Sequence, residues 1–205
     1  MKDFDYHLPQ ERRVVTDGMG EKSAALNARR EAAIARALTP GLPGYVVAAD
    51  GGVLVDADDN SYIDFASGIA VTSVGASNKR VADAVAKAAA EFTHTCFMVS
   101  PYESYVAVCE KLNQLTPGDR EKKSVLLNSG AEAVETAIKI CRKYAYERKG
   151  IAENQAKIIV CDDNFHGRTT TIISFSNDEN ARKNFGPYTP GFIKIPYNDT
   201  EALKK

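Results

Sequence analysis

Two short stretches of this sequence carry residue types that could bind an anion and a flat ring. The first is Lys123-Ser124-Val125-Leu126-Leu127-Asn128-Ser129-Gly130-Ala131-Glu132-Ala133-Val134-Glu135. Ser129 is an N-cap residue type, and Glu132 three positions on completes a capping-box pattern, so a helix is expected to start here. Gly130 lets the backbone approach a ligand closely, and Ala131 keeps its side chain out of the way. The first N–H groups of such a helix lack partners and lie at the positive end of its dipole, which makes a phosphate seat without a basic side chain. The second stretch is Asn164-Phe165-His166-Gly167-Arg168-Thr169, just after the apolar run 157–161. It would sit at the carboxyl edge of a sheet, where ligands of open α/β folds gather. Phe165 could stack on a planar ring, His166 could contact it, and Arg168 could pair with a carboxylate in a forked geometry. A phosphate seat beside a flat ring points to a phosphorylated aromatic cofactor. A plainer reading stays open for both: a capped helix with no ligand, and a core Phe, a loop His and a surface Arg.

The elements that must position these residues can be read from spacing. Residues 1–20 are polar and irregular, an expected arm. Residues 21–38 read as a helix stopped by Thr39-Pro40-Gly41-Leu42-Pro43-Gly44. The runs 45–49, 53–56 and 62–65 are separated by turn chemistry and predict a small antiparallel meander. Residues 79–92 repeat at helical period through Val81, Val85, Ala88 and Phe92. Ser100-Pro101-Tyr102-Glu103 predicts a helix with Ser100 at the N-cap, Pro101 at N1 and Glu103 at N3, ending at Pro117-Gly118. Beyond it the expectation is a strand at 124–127, a helix at 131–148, a strand at 157–161, a loop at 162–169 and a strand at 171–175. That order suggests an α/β layer with a partly parallel sheet.

Composition narrows the function classes. The 205 residues are 44% hydrophobic and 26% charged, so an extended disordered state is not expected. Lys+Arg 26 against Asp+Glu 27 leaves a formal charge of -1, with no basic excess to mark a nucleic-acid partner. No apolar run reaches the ~20 residues of a membrane helix, and Met1 to Arg13 lacks the apolar core of a signal peptide. Cys96, Cys109, Cys141 and Cys161 are widely spaced without a Cys-x-x-Cys pair, which reads as reduced thiols of a cytoplasmic protein and argues against a metal site.

Taken together, the motifs resemble class III aminotransferases, pyridoxal-phosphate enzymes of fold type I. Asn128 to Glu135 is similar to that family's phosphate-binding turn, and Phe165-His166-Gly167-Arg168-Thr169 to its aromatic–His–Gly–Arg–Thr segment. Asp64-Phe65-Ala66-Ser67-Gly68-Ile69-Ala70-Val71 resembles its substrate-entry segment. Phe92 to Val99, with Pro101-Tyr102-Glu103, is similar to 4-aminobutyrate aminotransferases, whereas the stretches 144–150, 169–175 and 184–192 look more like ornithine aminotransferases. Gly75-Ala76-Ser77-Asn78 departs from the family's Gly-His-x-His-Pro.

The resemblance implies an N-terminal part of a fold-type-I transferase. Residues 1–75 would be an arm and small-domain segment with the meander. Residues 76–205 would be an incomplete large α/β cofactor-binding domain. It implies pyridoxal 5'-phosphate held by Ser129, Gly130 and Ala131, with Phe165 on the ring and His166 beside it. Ile69 would line the substrate pocket and Arg168 would hold a substrate carboxylate. The implied reaction moves an ω-amino group, with 4-aminobutyrate favoured, to 2-oxoglutarate, giving a semialdehyde and glutamate. Ornithine or acetylornithine is the alternative donor, and a non-catalytic cofactor-binding or interaction remnant is the alternative role. A homodimer is implied, with the His94–Met98 stretch serving it, and neither nucleic acid nor membrane as partner. The family's Schiff-base lysine and its Asp-Glu-x-Gln-like acidic strand have no matching position here, so the expectation is an inactive, poorly soluble fragment.

Overall fold

A polar hub explains why the first sheet forms where it does. Asp56 and Asn60 are fully buried. The Asp56 carboxylate accepts hydrogen bonds from Asn60 N and Nδ2, both at 2.9 Å, from Tyr62 Oη at 2.9 Å and from Asp58 N at 3.0 Å. These bonds close the Asp56–Asn60 turn between two strands. The computed structural model describes residues 6–205 and contains two units, Met1–Val99 and Ser100–Lys205. The division expected at 75/76 falls inside the first.

In the first unit, α1 (Glu21–Ala33) precedes β1 (Val46–Asp50), β2 (Val53–Asp56) and β3 (Ser61–Ile63). The three strands form an antiparallel sheet in the order β1-β2-β3, with a register irregularity between Val46 and Ala48. This is the meander read from the turn residues. The described part of the arm is irregular but pinned: Arg13 bridges Ser61, and Asn60 Oδ1 accepts from Val15 N and Thr16 N. The first helix is shorter than the 21–38 expected, because Ile34 is already extended at ψ 139. A single turn, α2 (Ser67–Ala70), and then α3 (Lys79–Glu91) follow, the latter capped by Asn78.

In the second unit, α4 (Glu103–Leu115) starts later than its capping pattern implied. Tyr102 holds the N-cap position with extended backbone and no side-chain cap bond, so Glu103 is the first helical residue and not the third. Residues 124–127 do not form a strand: no ladder partner exists for them among the described residues. Instead Leu126 N donates to Tyr105 Oη at 2.9 Å and Ser124 Oγ to Asn113 Oδ1 at 2.8 Å, tying the stretch to α4. An apolar run makes a chain extended, but only a neighbouring strand makes it part of a sheet.

After this come α5 (Gly130–Lys149) and β4 (Ile158–Cys161). The strand expected at 171–175 is a 3-10 turn, Ile172–Phe175. Thr169 decides this locally, since its Oγ1 accepts Ile172 N at 3.2 Å and its carbonyl accepts Ile173 N at 3.0 Å. Such side-chain and backbone turns compete with strand pairing. The short α6 (Glu179–Arg182), β5 (Phe192–Ile195) and α7 (Thr200–Lys204) complete the unit, and β4 and β5 pair in parallel. Its core is Ile138, Ile172 and Phe175, packed by Ala131, Val134, Ile158, Val160 and Phe192. The expected architecture, an antiparallel meander followed by an α/β layer with parallel strands, is therefore present. No described helix is long and apolar enough to cross a membrane.

Candidate functional site

At the amino end of α5 the Ser129 cap expected from the sequence is present, but the return bond from Ser129 N to the Glu132 carboxylate that would complete a capping box is not formed. Ser129 is extended at the N-cap, and its Oγ accepts Glu132 N at 3.2 Å. Its carbonyl accepts Ala133 N at 3.1 Å. The amides of Gly130 and Ala131 precede these and, by helix geometry, have no carbonyl behind them to bond. Apart from its chain neighbours and the helix's own backbone, nothing lies within 4 Å of the position a Gly130 Cβ would take. The helix runs 20 residues and ends at left-handed Gly150, so a full macrodipole stands behind the two amides.

Gly167 brings the second motif to this helix. Its φ is +116, and a Cβ there would stand 2.8 Å from Ala131 Cβ and 3.2 Å from Ile172 Cδ1. Only a residue without a side chain lets the loop lie this close to the first turn of α5. On either side the loop is pinned. Asn164 Nδ2 donates to Cys161 O at 2.7 Å and Phe175 O at 3.3 Å, and the Thr169 hydroxyl donates to Glu135. Asn164 Oδ1 is buried with no hydrogen-bond partner.

Of the residues singled out from the sequence, Ser129, Gly130, Ala131, Phe165, His166 and Arg168 all fall around this contact. Phe165 is 76% exposed, so its ring face is open to a ligand and is not a core side chain. His166 is exposed, with its ring centroid 6.1 Å from that of buried Phe175. Arg168 is exposed. Ile69 belongs to the first unit. It is 92% exposed at φ 62 and ψ 60, a left-handed conformation unusual for a β-branched residue. Sequence reasoning assigned no task to Glu135, Thr169, Asn164 or the bare edge of Gly167. A signal existed for one of them, since Glu135 is four residues beyond Ala131 and so shares its face of the helix.

The arrangement fits a phosphorylated ring: two open amides at a helix amino end, with an exposed aromatic side chain two residues from the Gly167–Ala131 contact. Comparison with known proteins agrees. The chain is 47% identical over 190 residues to the 4-aminobutyrate aminotransferase of Mycobacterium bovis, covering 92% of this chain and 40% of that protein. It is 42% identical over 167 residues to the ornithine aminotransferase of Brevibacillus brevis, covering 80% and 40%. The solved ornithine aminotransferase of Toxoplasma gondii, with partial occupancy of pyridoxal phosphate at its active site, superposes with a TM-score of 0.81 at 33% identity, over 88% of this chain and 41% of that one. The chain thus spans about 40% of the length of the curated relatives it matches. Pyridoxal phosphate is the cofactor of the family whose sequence model, Aminotransferase class-III, matches residues 35–205, and to that family this chain belongs.

Proposed function

We propose that this chain provides the phosphate- and ring-binding part of a pyridoxal-phosphate site serving ω-amino group transfer. The observation that carries the proposal is the approach of Gly167 to Ala131, which sets the Phe165–Arg168 loop against the open amides of α5. Gly130 and Ala131 N–H would donate to phosphate oxygens, with the α5 dipole adding to the attraction. Phe165, exposed and apolar, would cover one face of the ring, and His166, backed by Phe175, would stand beside it. Arg168 would hold a substrate carboxylate through two parallel N–H bonds. The exposed Ile69 side chain is proposed to meet substrate. The cofactor, when bound, supplies the electron-withdrawing ring that amino transfer needs. The reacting lysine and the acid that pairs with the ring nitrogen are proposed to lie outside these 205 residues.

For the amino donor, 4-aminobutyrate is favoured over ornithine, supported by 47% identity over 190 residues against 42% over 167. The acceptor is proposed to be 2-oxoglutarate. Assembly as a homodimer belongs to the same reading, with the His94–Met98 stretch, where Met98 is 95% exposed, proposed to serve it.

The test is a titration of the purified chain with pyridoxal phosphate, with Phe165→Ala in parallel, followed by assays with 4-aminobutyrate and ornithine. Reversible binding weakened by Phe165→Ala, without amino transfer, is the expected result. Binding indifferent to Phe165 would remove the ring assignment, and measurable transamination would overturn the placement of the lysine outside the chain.

A further inference from the structure

The helix α5 and the segment after β4 lie side by side, and three contacts mark their register. Ala131 meets Gly167, Glu135 bonds Thr169, and Ile138 packs with Ile172 and Phe175. Steps of four and three residues keep positions 131, 135 and 138 on one helix face. The outer two contacts are apolar and carry little directional preference. The middle one is directional: the Thr169 hydroxyl gives its proton to the Glu135 carboxylate and accepts Ile172 N–H at 3.2 Å. Both side chains are half-buried, which shields the bond from water. At the loop's other end Asn164 holds Cys161 O and Phe175 O. Residues 165, 166 and 168, between these two anchors, are exposed.

We propose that Thr169 and Glu135 are positioning residues whose bond sets the ring-binding loop at a fixed offset from the phosphate-binding amides of α5. The proposal rests on the pyridoxal-phosphate reading above. A rigid ligand with a phosphate at one end and a ring at the other must be met by two separate elements at once. Any freedom between those elements has to be frozen on binding, at the expense of affinity. Inorganic phosphate touches the helix end alone, so its binding does not depend on where the loop stands. Valine at 169 fills nearly the space of threonine but forms neither hydrogen bond, whereas serine keeps both.

The experiment compares the chain with its Thr169→Val and Thr169→Ser variants. Pyridoxal phosphate affinity is read from the cofactor's absorbance, and inorganic phosphate binding from the Gly130 and Ala131 amide resonances. Hydrogen exchange is followed across 164–170 and the middle of α5. Thr169→Val is expected to weaken pyridoxal phosphate about tenfold or more, the scale for losing a hydrogen bond to a charged group. It should leave phosphate binding unchanged and speed exchange in 164–170 but not in mid-α5, and Thr169→Ser should restore affinity and exchange. Equal losses for both ligands, or wild-type affinity and exchange in Thr169→Val, overturn the positioning role. A wild-type chain that takes phosphate but no pyridoxal phosphate sinks the cofactor reading instead. The pair is then judged on exchange alone: a loosened loop supports it and an unchanged loop overturns it.

Discussion

A Cβ placed on Gly167 would lie 2.8 Å from the Cβ of Ala131, so the loop after β4 rests its backbone directly on the first turn of α5. Two motifs 36 residues apart in sequence are joined by the absence of one side chain.

Gly167→Ala is therefore expected to push the loop off the helix. The new methyl group clashes with Ala131, and φ +116 is strained for any L side chain. A loss of about 1–3 kcal/mol is expected in urea unfolding. Pyridoxal phosphate affinity should fall with it. Wild-type stability in this variant would show that the loop can stand off at little cost.

Ser129→Ala removes the acceptor for Glu132 N. Helix α5 should lose about 0.5–2 kcal/mol, and Ser129→Asp should recover most of it while repelling phosphate at the same turn. Unfolding followed by helical circular dichroism, with phosphate titration beside it, separates the two effects.

Phe175→Ala empties the centre of the second unit. Phe175 is 2% exposed, packs on Phe192 at 4.4 Å between ring centroids, and backs His166. The expected cost is about 3–5 kcal/mol. Phe165→Ala, at a ring 76% exposed, should leave the urea midpoint almost unmoved, so the pair distinguishes a core aromatic from a ligand-facing one.

Acid should act first on the hub of the first unit. Burial raises the pKa of Asp56, but the hydrogen bonds from Asn60, Tyr62 and Asp58 outweigh it, and the net shift is downward from 3.8. Asp58 is also lowered, chiefly by its bond with Ser23. A carboxylate depressed on folding contributes stability that is present above its unfolded value and lost as pH falls through the folded one. The urea midpoint should thus hold from neutral pH to near 4 and drop below it. Asp56→Asn should lower the plateau and flatten that acid limb. An unchanged acid limb in the variant would assign the pH dependence to other groups.

The sequence by itself determined the parts of this protein whose physics is local. Turn residues at 50–52 and 56–60 fixed the meander, the Ser129 cap fixed where α5 begins, and Gly130-Ala131 and Phe165–Thr169 marked the family and the two halves of the proposed site. Tertiary structure decided what depends on a neighbour. Residues 124–127 have strand-like composition but no partner strand among the described residues, so they attach to α4 through Tyr105 and Asn113. Residues 172–175 have strand-like composition too, but Thr169 captures their amides and the core takes their side chains in a 3-10 turn. The pairing of Glu135 with Thr169, and the need for glycine at 167, follow from a loop lying along one helix face. No spacing within either motif encodes that distance, because it is set by how the two elements pack.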